Sequence, residues 1–365
     1  MRVRRTASIW IALVVAAAAS QGPASGSSVP ALSLREKIGQ LVMFSIGGTT
    51  LSAYERDQIR KLHLGGVILF AHNYRDRSRL RTLTDQVQRA ARAGNQLEIG
   101  ALISADQEGG VVKRFPDMPP RYSAPEMGSS GRVKLAYDQG RATGYALRAS
   151  GVNVNLAPVA DLDLPPEHVM RTRSFGSGPR RVGRYARAFA QGLQSRRTAA
   201  TAKHFPGFGG ATVNSDYGRA YIYRTKWQLH HKDAQPFHAA IDAGLRVVML
   251  SHGMYLKDGG RRPASVNHYI ATRRLRREFS FTGVAISDDL DAVSWKFGGS
   301  TPHACKATIQ AGVDVALITG GVDSARRCVA RIHKAVASGT ISEGRIDQAL
   351  GRVLDLKAWL GLLPS

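Results

Sequence analysis

The sequence predicts a single (β/α)8 barrel, and three observations carry the prediction. Eight short apolar segments recur, at residues 41–45, 66–70, 100–105, 152–158, 199–204, 246–252, 283–288 and 313–319, with amphipathic stretches between them. Segments such as Val247-Val248-Met249-Leu250 are apolar at every position. That pattern is expected of a strand with helices on one side and a filled barrel interior on the other. The chain is 365 residues long and 43% hydrophobic, enough for one large core, and no shift in composition marks a second domain. Strand and helix alternating eight times is the pattern of a closed barrel. A doubly wound open sheet, which differs mainly in strand count, is the runner-up.

Residues 1–20 stand apart from this core. Arg2, Arg4 and Arg5 precede an apolar run from Ile9 to Ala19, and Ala18-Ala19-Ser20 offers a small-residue cleavage site. The outline is that of a secretory signal peptide. Residues 21–30, rich in Gly, Ser, Pro and Ala, read as a flexible linker, leaving 31–365 as the barrel domain. A secreted or periplasmic location is therefore expected, with no membrane anchor after cleavage. Helices are expected at 77–92, 132–149, 181–194, 226–243 and 341–360, where apolar residues recur with helical spacing.

The formal net charge is +24, and it stays strongly positive without the arginines of the leader. Such a field favours anionic partners. The Lys and Arg residues are spread along the chain with no helix-turn-helix, zinc-finger or RNP-type signature, so nucleic acid is not the expected partner. For an exported protein, anionic cell-envelope polymers are. Cys305 and Cys328 flank the last predicted strand. A disulfide and two buried thiols both fit that placement.

Three motifs fall where apolar strands end in polar loops, the edge at which parallel α/β proteins bind ligands. They are Asp106-Gln107-Glu108-Gly109-Gly110, Lys203-His204-Phe205-Pro206-Gly207-Phe208-Gly209 and Ile286-Ser287-Asp288-Asp289-Leu290. Together the sequence resembles family 3 glycoside hydrolases, and within them the single-domain bacterial β-N-acetylglucosaminidases. The resemblance runs from Leu34-Arg35-Glu36-Lys37-Ile38-Gly39-Gln40 to the last helix. It implies a β-N-acetylhexosaminidase acting on N-acetylglucosamine linkages, with peptidoglycan fragments as one source. Asp288 would be the nucleophile that forms a glycosyl–enzyme intermediate. The alternative role for Asp288 is a helix cap, which Asp289 or Asp291 could fill instead. Asp106, Arg114, Arg173, Lys203 and His204 would hold the sugar. Pro158 and Asp161 extend the match, Asp161 as a group that orients its neighbours.

The chain departs from the family in the loop after the fifth strand. Family members continue from Lys-His-Phe-Pro-Gly through His-Gly to an Asp-Ser-His that carries the general acid/base. Here Phe208 replaces the first His, and Asn214-Ser215-Asp216 stands in place of Asp-Ser-His. Two readings follow. Asp216 could itself be the acid/base, since most retaining glycosidases use two carboxyl groups roughly 5 Å apart. Its pKa would then have to rise through partial burial and the charge of Asp288. Otherwise the barrel is catalytically impaired and binds cell-envelope glycans.

No cofactor is expected. Gly207-Phe208-Gly209-Gly210 lacks the Lys-Ser/Thr of a phosphate-binding loop, and its glycines read as freedom for the loop to move. His63, His72 and His252 have no metal-ligand spacing, so no metal is expected.

Overall fold

The structure, a computed structural model, describes residues 32–364. The predicted leader, 1–20, and linker, 21–30, lie outside the described residues. All eight predicted strands form. They are β1 (Val42–Ser45), β2 (Gly66–Leu69), β3 (Leu102–Ala105), β4 (Val154–Asn155), β5 (Ala199–Phe205), β6 (Val247–Leu250), β7 (Val284–Ser287) and β8 (Ala316–Ile318).

Their order is β7-β6-β5-β4-β3-β2-β1-β8, and every neighbouring pair is parallel. A parallel bridge from Ile286 to Val315 and a 3.0 Å hydrogen bond from the Ser287 N–H to the Val315 carbonyl join β7 to β8. The sheet therefore closes, which decides for the barrel over the open sheet. Along β6, Val247 and Met249 belong to one buried cluster while Val248 and Leu250 belong to another. Both faces are packed, and this is why the strand shows no polar alternation.

The surrounding helices follow from capping and spacing. The helix Arg77–Arg92 starts at Asp76, whose side chain accepts from the Arg79 N–H at 2.8 Å. It buries Leu80, Leu83, Thr84, Val87, Ala90 and Ala91, one stripe at helical spacing. The helices Val133–Ala149 and Pro179–Gln194 cross closely enough that glycine is required at the contact. A Cβ at Gly140 would lie 2.2 Å from the Phe189 carbonyl oxygen, and one at Gly192 would lie 2.2 Å from that of Tyr137. The helix expected over 226–243 is interrupted instead. It divides into Lys226–Gln228, a π-helical turn Leu229–Asp233, and Gln235–Ile241. Pro236 has no N–H to donate to the carbonyl four residues back, so a continuous helix would leave that acceptor unpaired. Among the described residues no helix is long and apolar enough to cross a membrane.

Cys305, in the helix Thr301–Ala311, and Cys328, in the helix Gly321–Ala337, are paired, with Cα atoms 5.7 Å apart. The bond ties together the two helices on either side of β8 and closes a loop of 23 residues. Chain-entropy arguments give a loop of that size about 3 kcal/mol of stabilisation. Reduction is therefore expected to lower the urea midpoint and Tm measurably. Identical melting of the reduced and oxidised protein would show that the bond contributes nothing.

Candidate active site

A pocket of about 560 Å³ opens at the C-terminal ends of the strands. Asp106, Arg114, Arg173, Lys203, His204, Asp216 and Asp288, the residues predicted to form the site, all line it. They come from four different strand ends and their loops, those of β3, β4, β5 and β7, which is how a barrel assembles one site from distant segments.

The floor is a buried charge network. Asp106 directly follows β3, and Glu108 lies two residues on, so the two carboxylates fall on one side of the extended chain. Lys203, in β5 and only 2% exposed, places Nζ 2.6 Å from Asp106 Oδ1 and 2.7 Å from Glu108 Oε1. Arg173 makes a two-pronged contact with Glu108, Nε to Oε2 at 2.9 Å and Nη2 to Oε1 at 2.7 Å. Arg114 reaches Asp106 Oδ2 through Nη2 at 3.3 Å and lies over the Phe70 ring, 5.3 Å from its centroid. Burial resists ionisation of Glu108, but Lys203 and Arg173 outweigh it and hold its carboxyl at about 2. Burial likewise resists the charge on Lys203, and Asp106 and Glu108 raise its pKa above the usual value. The cluster is thus a platform of fixed donors and acceptors in which three cations surround two carboxylates.

Glu108 was not assigned a role from the sequence, although it stands inside the first motif. The signal for it was present in its two-residue spacing from Asp106. The pKa shift has a stability consequence. The Glu108 carboxyl falls from an ordinary 4.5 to about 2 in the folded state, so its contribution is complete above pH 4.5 and is lost as pH drops toward 2. The shift corresponds to about 3 kcal/mol. Glu108→Gln leaves Lys203 and Arg173 short of a counter-charge and should cost about 3–5 kcal/mol. Urea unfolding at pH 7 checks the loss, and the same titration between pH 4.5 and 2 should show that the variant has lost the acid-linked decline carried by this group.

His204, also in β5, is oriented from behind. Its Nδ1 donates to Asp161 Oδ2 at 2.7 Å, and its backbone N–H donates to the same oxygen at 3.0 Å. The other Asp161 oxygen accepts from the Phe208 N–H at 2.6 Å. Asp161 is fully buried, and its two oxygens tie His204 to the Phe208 backbone.

Asp288 follows the last residue of β7, and its backbone N–H donates to the Leu250 carbonyl at 3.1 Å. It does not cap a helix. Asp289 does so, accepting from the Asp291 N–H at 3.2 Å while also binding Thr319 through N–H and Oγ1. Burial alone would raise the Asp288 carboxyl. The His252 and His204 imidazoles, the Asp289 N–H and Lys203 overcome it and hold the carboxyl below its ordinary range. Burial pushes the neighbouring Asp289 up to about 7, reinforced by Asp291 and Asp288. His252, set aside in the sequence for want of metal spacing, is buried here, with Nδ1 2.8 Å from Ser265 Oγ and Nε2 2.6 Å from the Asp289 carbonyl oxygen. It pins the backbone on which Asp288 stands.

Asp216 differs from the expectation in its surroundings. The partial burial foreseen for it is not found, because the loop holds it exposed at the pocket's edge. Its partner is Asn214, whose Nδ2 lies 3.3 Å from Asp216 Oδ2 and whose Oδ1 accepts the Asp216 N–H at 3.1 Å. The glycines before it serve close packing rather than free movement. A Cβ at Gly209 would lie 1.9 Å from the Leu162 carbonyl oxygen, and Gly207 adopts φ +124 with Asp233 Cβ 2.8 Å from where its own Cβ would be. Among the described residues no group of three or more His, Cys, Asp or Glu side chains is placed to hold a metal ion.

A closed parallel barrel whose strand ends converge on a polar, carboxylate-bearing pocket defines a (β/α)8-barrel enzyme. Residues 33–356 match the glycosyl hydrolase family 3 N terminal domain. The chain belongs to glycoside hydrolase family 3. It is similar to a β-hexosaminidase of Nitrosomonas eutropha, 36% identical over 292 residues covering 78% of this chain and 82% of that protein. It is also similar to a solved family 3 β-N-acetylglucosaminidase from Paenibacillus sp. (TM-score 0.84, 32% identity), matching 91% of this chain but 63% of that one. A β-N-acetylhexosaminidase structure from Beutenbergia cavernae matches with a TM-score of 0.79 and 29% identity, over 90% of this chain and 99% of its own.

Proposed function

We propose that the protein is a retaining β-N-acetylhexosaminidase that releases β-linked N-acetylglucosamine, with peptidoglycan fragments among its substrates. The observation that carries this reading is the position of Asp288, ionised at the end of β7 in the same pocket as the Asp106–Lys203–Glu108–Arg173 platform. A carboxylate held below its ordinary pKa is ready to attack an anomeric carbon. The platform offers fixed charges to sugar hydroxyls, where hydrogen bonds to ionised groups are strongest. The relatives named β-hexosaminidase and β-N-acetylglucosaminidase support the choice of sugar.

In the proposed sequence, a carboxylate oxygen of Asp288 attacks the anomeric carbon as the bond to the aglycone oxygen breaks. Asp216 is assigned the transfer of a proton to that oxygen. Water then attacks the glycosyl–aspartate, Asp216 takes up its proton, and the sugar leaves with its original β configuration. The Cys305–Cys328 bond supports an exported protein, since disulfides persist in oxidising compartments.

The test is the hydrolysis of an aryl β-N-acetylglucosaminide with a poor leaving group, with the first-formed sugar read by NMR. The β-anomer is the expected product; an α-anomer would overturn the retaining mechanism. The exposure of Asp216 favours a second reading, a glycan-binding barrel of impaired catalysis. Saturable sugar binding without turnover would establish that one instead.

A further inference from the structure

A second and larger depression, about 1190 Å³, lies beside the catalytic pocket and takes no part in the chemistry above. Two loops form the wall between them. In one, Gly210 and Thr212 face the depression while Asn214 to Tyr217 face the pocket; in the other, Leu162 and Leu164 to Glu167 face the depression while Val169, Met170, Thr172 and Arg173 face the pocket. The depression is strongly cationic. Arg180, Arg181, Lys232 and Lys257 line it, all are exposed, and among the described residues none makes an ion pair. Arg224, the fifth cation, is neutralised by Asp233 at 2.8 Å, and Glu167 is the one acid in the lining.

The positive track continues. A neighbouring depression of about 540 Å³ shares Pro179, Arg180, His231 and Gln235 with the first and adds Arg184 and Arg187. Positions 180, 184 and 187 recur at helical spacing on the exposed side of the helix Pro179–Gln194. Three like charges on one helix face repel each other and are stabilised by a ligand of opposite sign. Aromatic rings stand among these cations. Tyr223, 56% exposed, lines the groove, and Trp227, 59% exposed, stands at its rim 5.3 Å from the His231 ring, with Lys232 Nζ 5.5 Å from the Trp227 centroid. Large exposed aromatics leave apolar area in water that a flat, weakly polar surface would cover. The C–H face of a pyranose ring is such a surface.

We propose that this groove is a binding site for an acidic polysaccharide, separate from the catalytic pocket. Anionic groups of the polymer pair with Arg180, Arg181, Lys232 and Lys257, and sugar rings lie on Tyr223 and Trp227. The shared wall places a strand held there next to the mouth in which Asp288 sits, so the site keeps the enzyme on its polymer independently of turnover. The net charge of +24 acts over a longer range and steers the encounter. The aromatic pair is what selects a sugar polymer over other polyanions.

The test measures binding of the full-length protein to polygalacturonate at low and high salt, beside inorganic polyphosphate and duplex DNA. Polygalacturonate should bind, and raised salt should weaken it. The variant Arg180→Glu/Arg181→Glu/Lys232→Glu/Lys257→Glu should bind about tenfold more weakly or worse. Tyr223→Ala/Trp227→Ala should weaken polygalacturonate several-fold and leave polyphosphate binding unchanged. Both variants should keep the parent's melting temperature and its rate on a small aryl glycoside. Wild-type binding by the charge-reversal variant overturns the site. Equal effects of the aromatic variant on polygalacturonate and polyphosphate overturn the sugar assignment, as does tighter binding of duplex DNA than of polygalacturonate. If the charge-reversal variant fails to fold, the aromatic variant alone decides between these outcomes.

Discussion

Asp288→Ala is expected to lower kcat/KM on an aryl β-N-acetylglucosaminide by about 10⁴-fold or more. The argument is positional. Asp288 comes directly after β7, its backbone is tied to Leu250 at 3.1 Å, and its carboxyl is kept ionised by His252, His204, the Asp289 N–H and Lys203 against the cost of burial. Alanine removes the only atoms that can bond to the anomeric carbon at that place. Because the charge platform is built from Asp106, Glu108, Lys203, Arg173 and Arg114, sugar binding should persist in the variant. The expected result is therefore a collapse of kcat with ligand affinity within a few-fold of the parent. Full activity in the variant would refute Asp288 as nucleophile. The depressed carboxyl also fixes a sign: the rate should not fall for want of nucleophile until the pH drops below the ordinary carboxylate range.

Asp216→Asn is expected to slow hydrolysis of substrates with poor leaving groups by about 10²–10⁴-fold, the usual share of general acid catalysis. Substrates whose leaving group departs without protonation should lose far less. The contrast between the two, measured as kcat/KM across a leaving-group series, is what identifies a proton donor. A merely structural role would slow all substrates alike. Asp216 lines the pocket that contains Asp288 and, among the described residues, makes its hydrogen bonds only to Asn214, so its carboxyl faces the space a substrate would fill. Equal losses on good and poor leaving groups would remove it from the mechanism.

The residues of the site were legible because of where they fall on the strands. Lys203 and His204 close β5, Asp106 follows β3 and Asp288 follows β7, and in a parallel barrel all such positions face one opening. Phe208 was legible as a departure, and in the fold it is buried, with its N–H on Asp161 where a polar side chain was expected. The helix over 226–243 was misjudged because its apolar spacing is right, and only the missing N–H of Pro236 divides it. Glu108 stands inside the first motif without a role of its own, because its partners Lys203 and Arg173 reach it only in the folded barrel.

Local pattern was enough for the barrel itself. An apolar run packed on two faces and a helix with one buried stripe each leave their period in the chain, whatever the distant residues do. Pairings between distant residues leave no such trace. Asp106 meets Lys203 across 97 positions and Glu108 meets Arg173 across 65, while Cys305 meets Cys328 only because two helices flank one strand. The exposure of Asp216 and the cationic groove depend in the same way on how loops stack over the barrel rim. Sequence thus determined the elements, the direction in which the strand ends point and the residue types they carry. Tertiary structure decided which charges neutralise one another and which stay free for a ligand, because charge interactions depend on through-space distance and burial rather than on order along the chain.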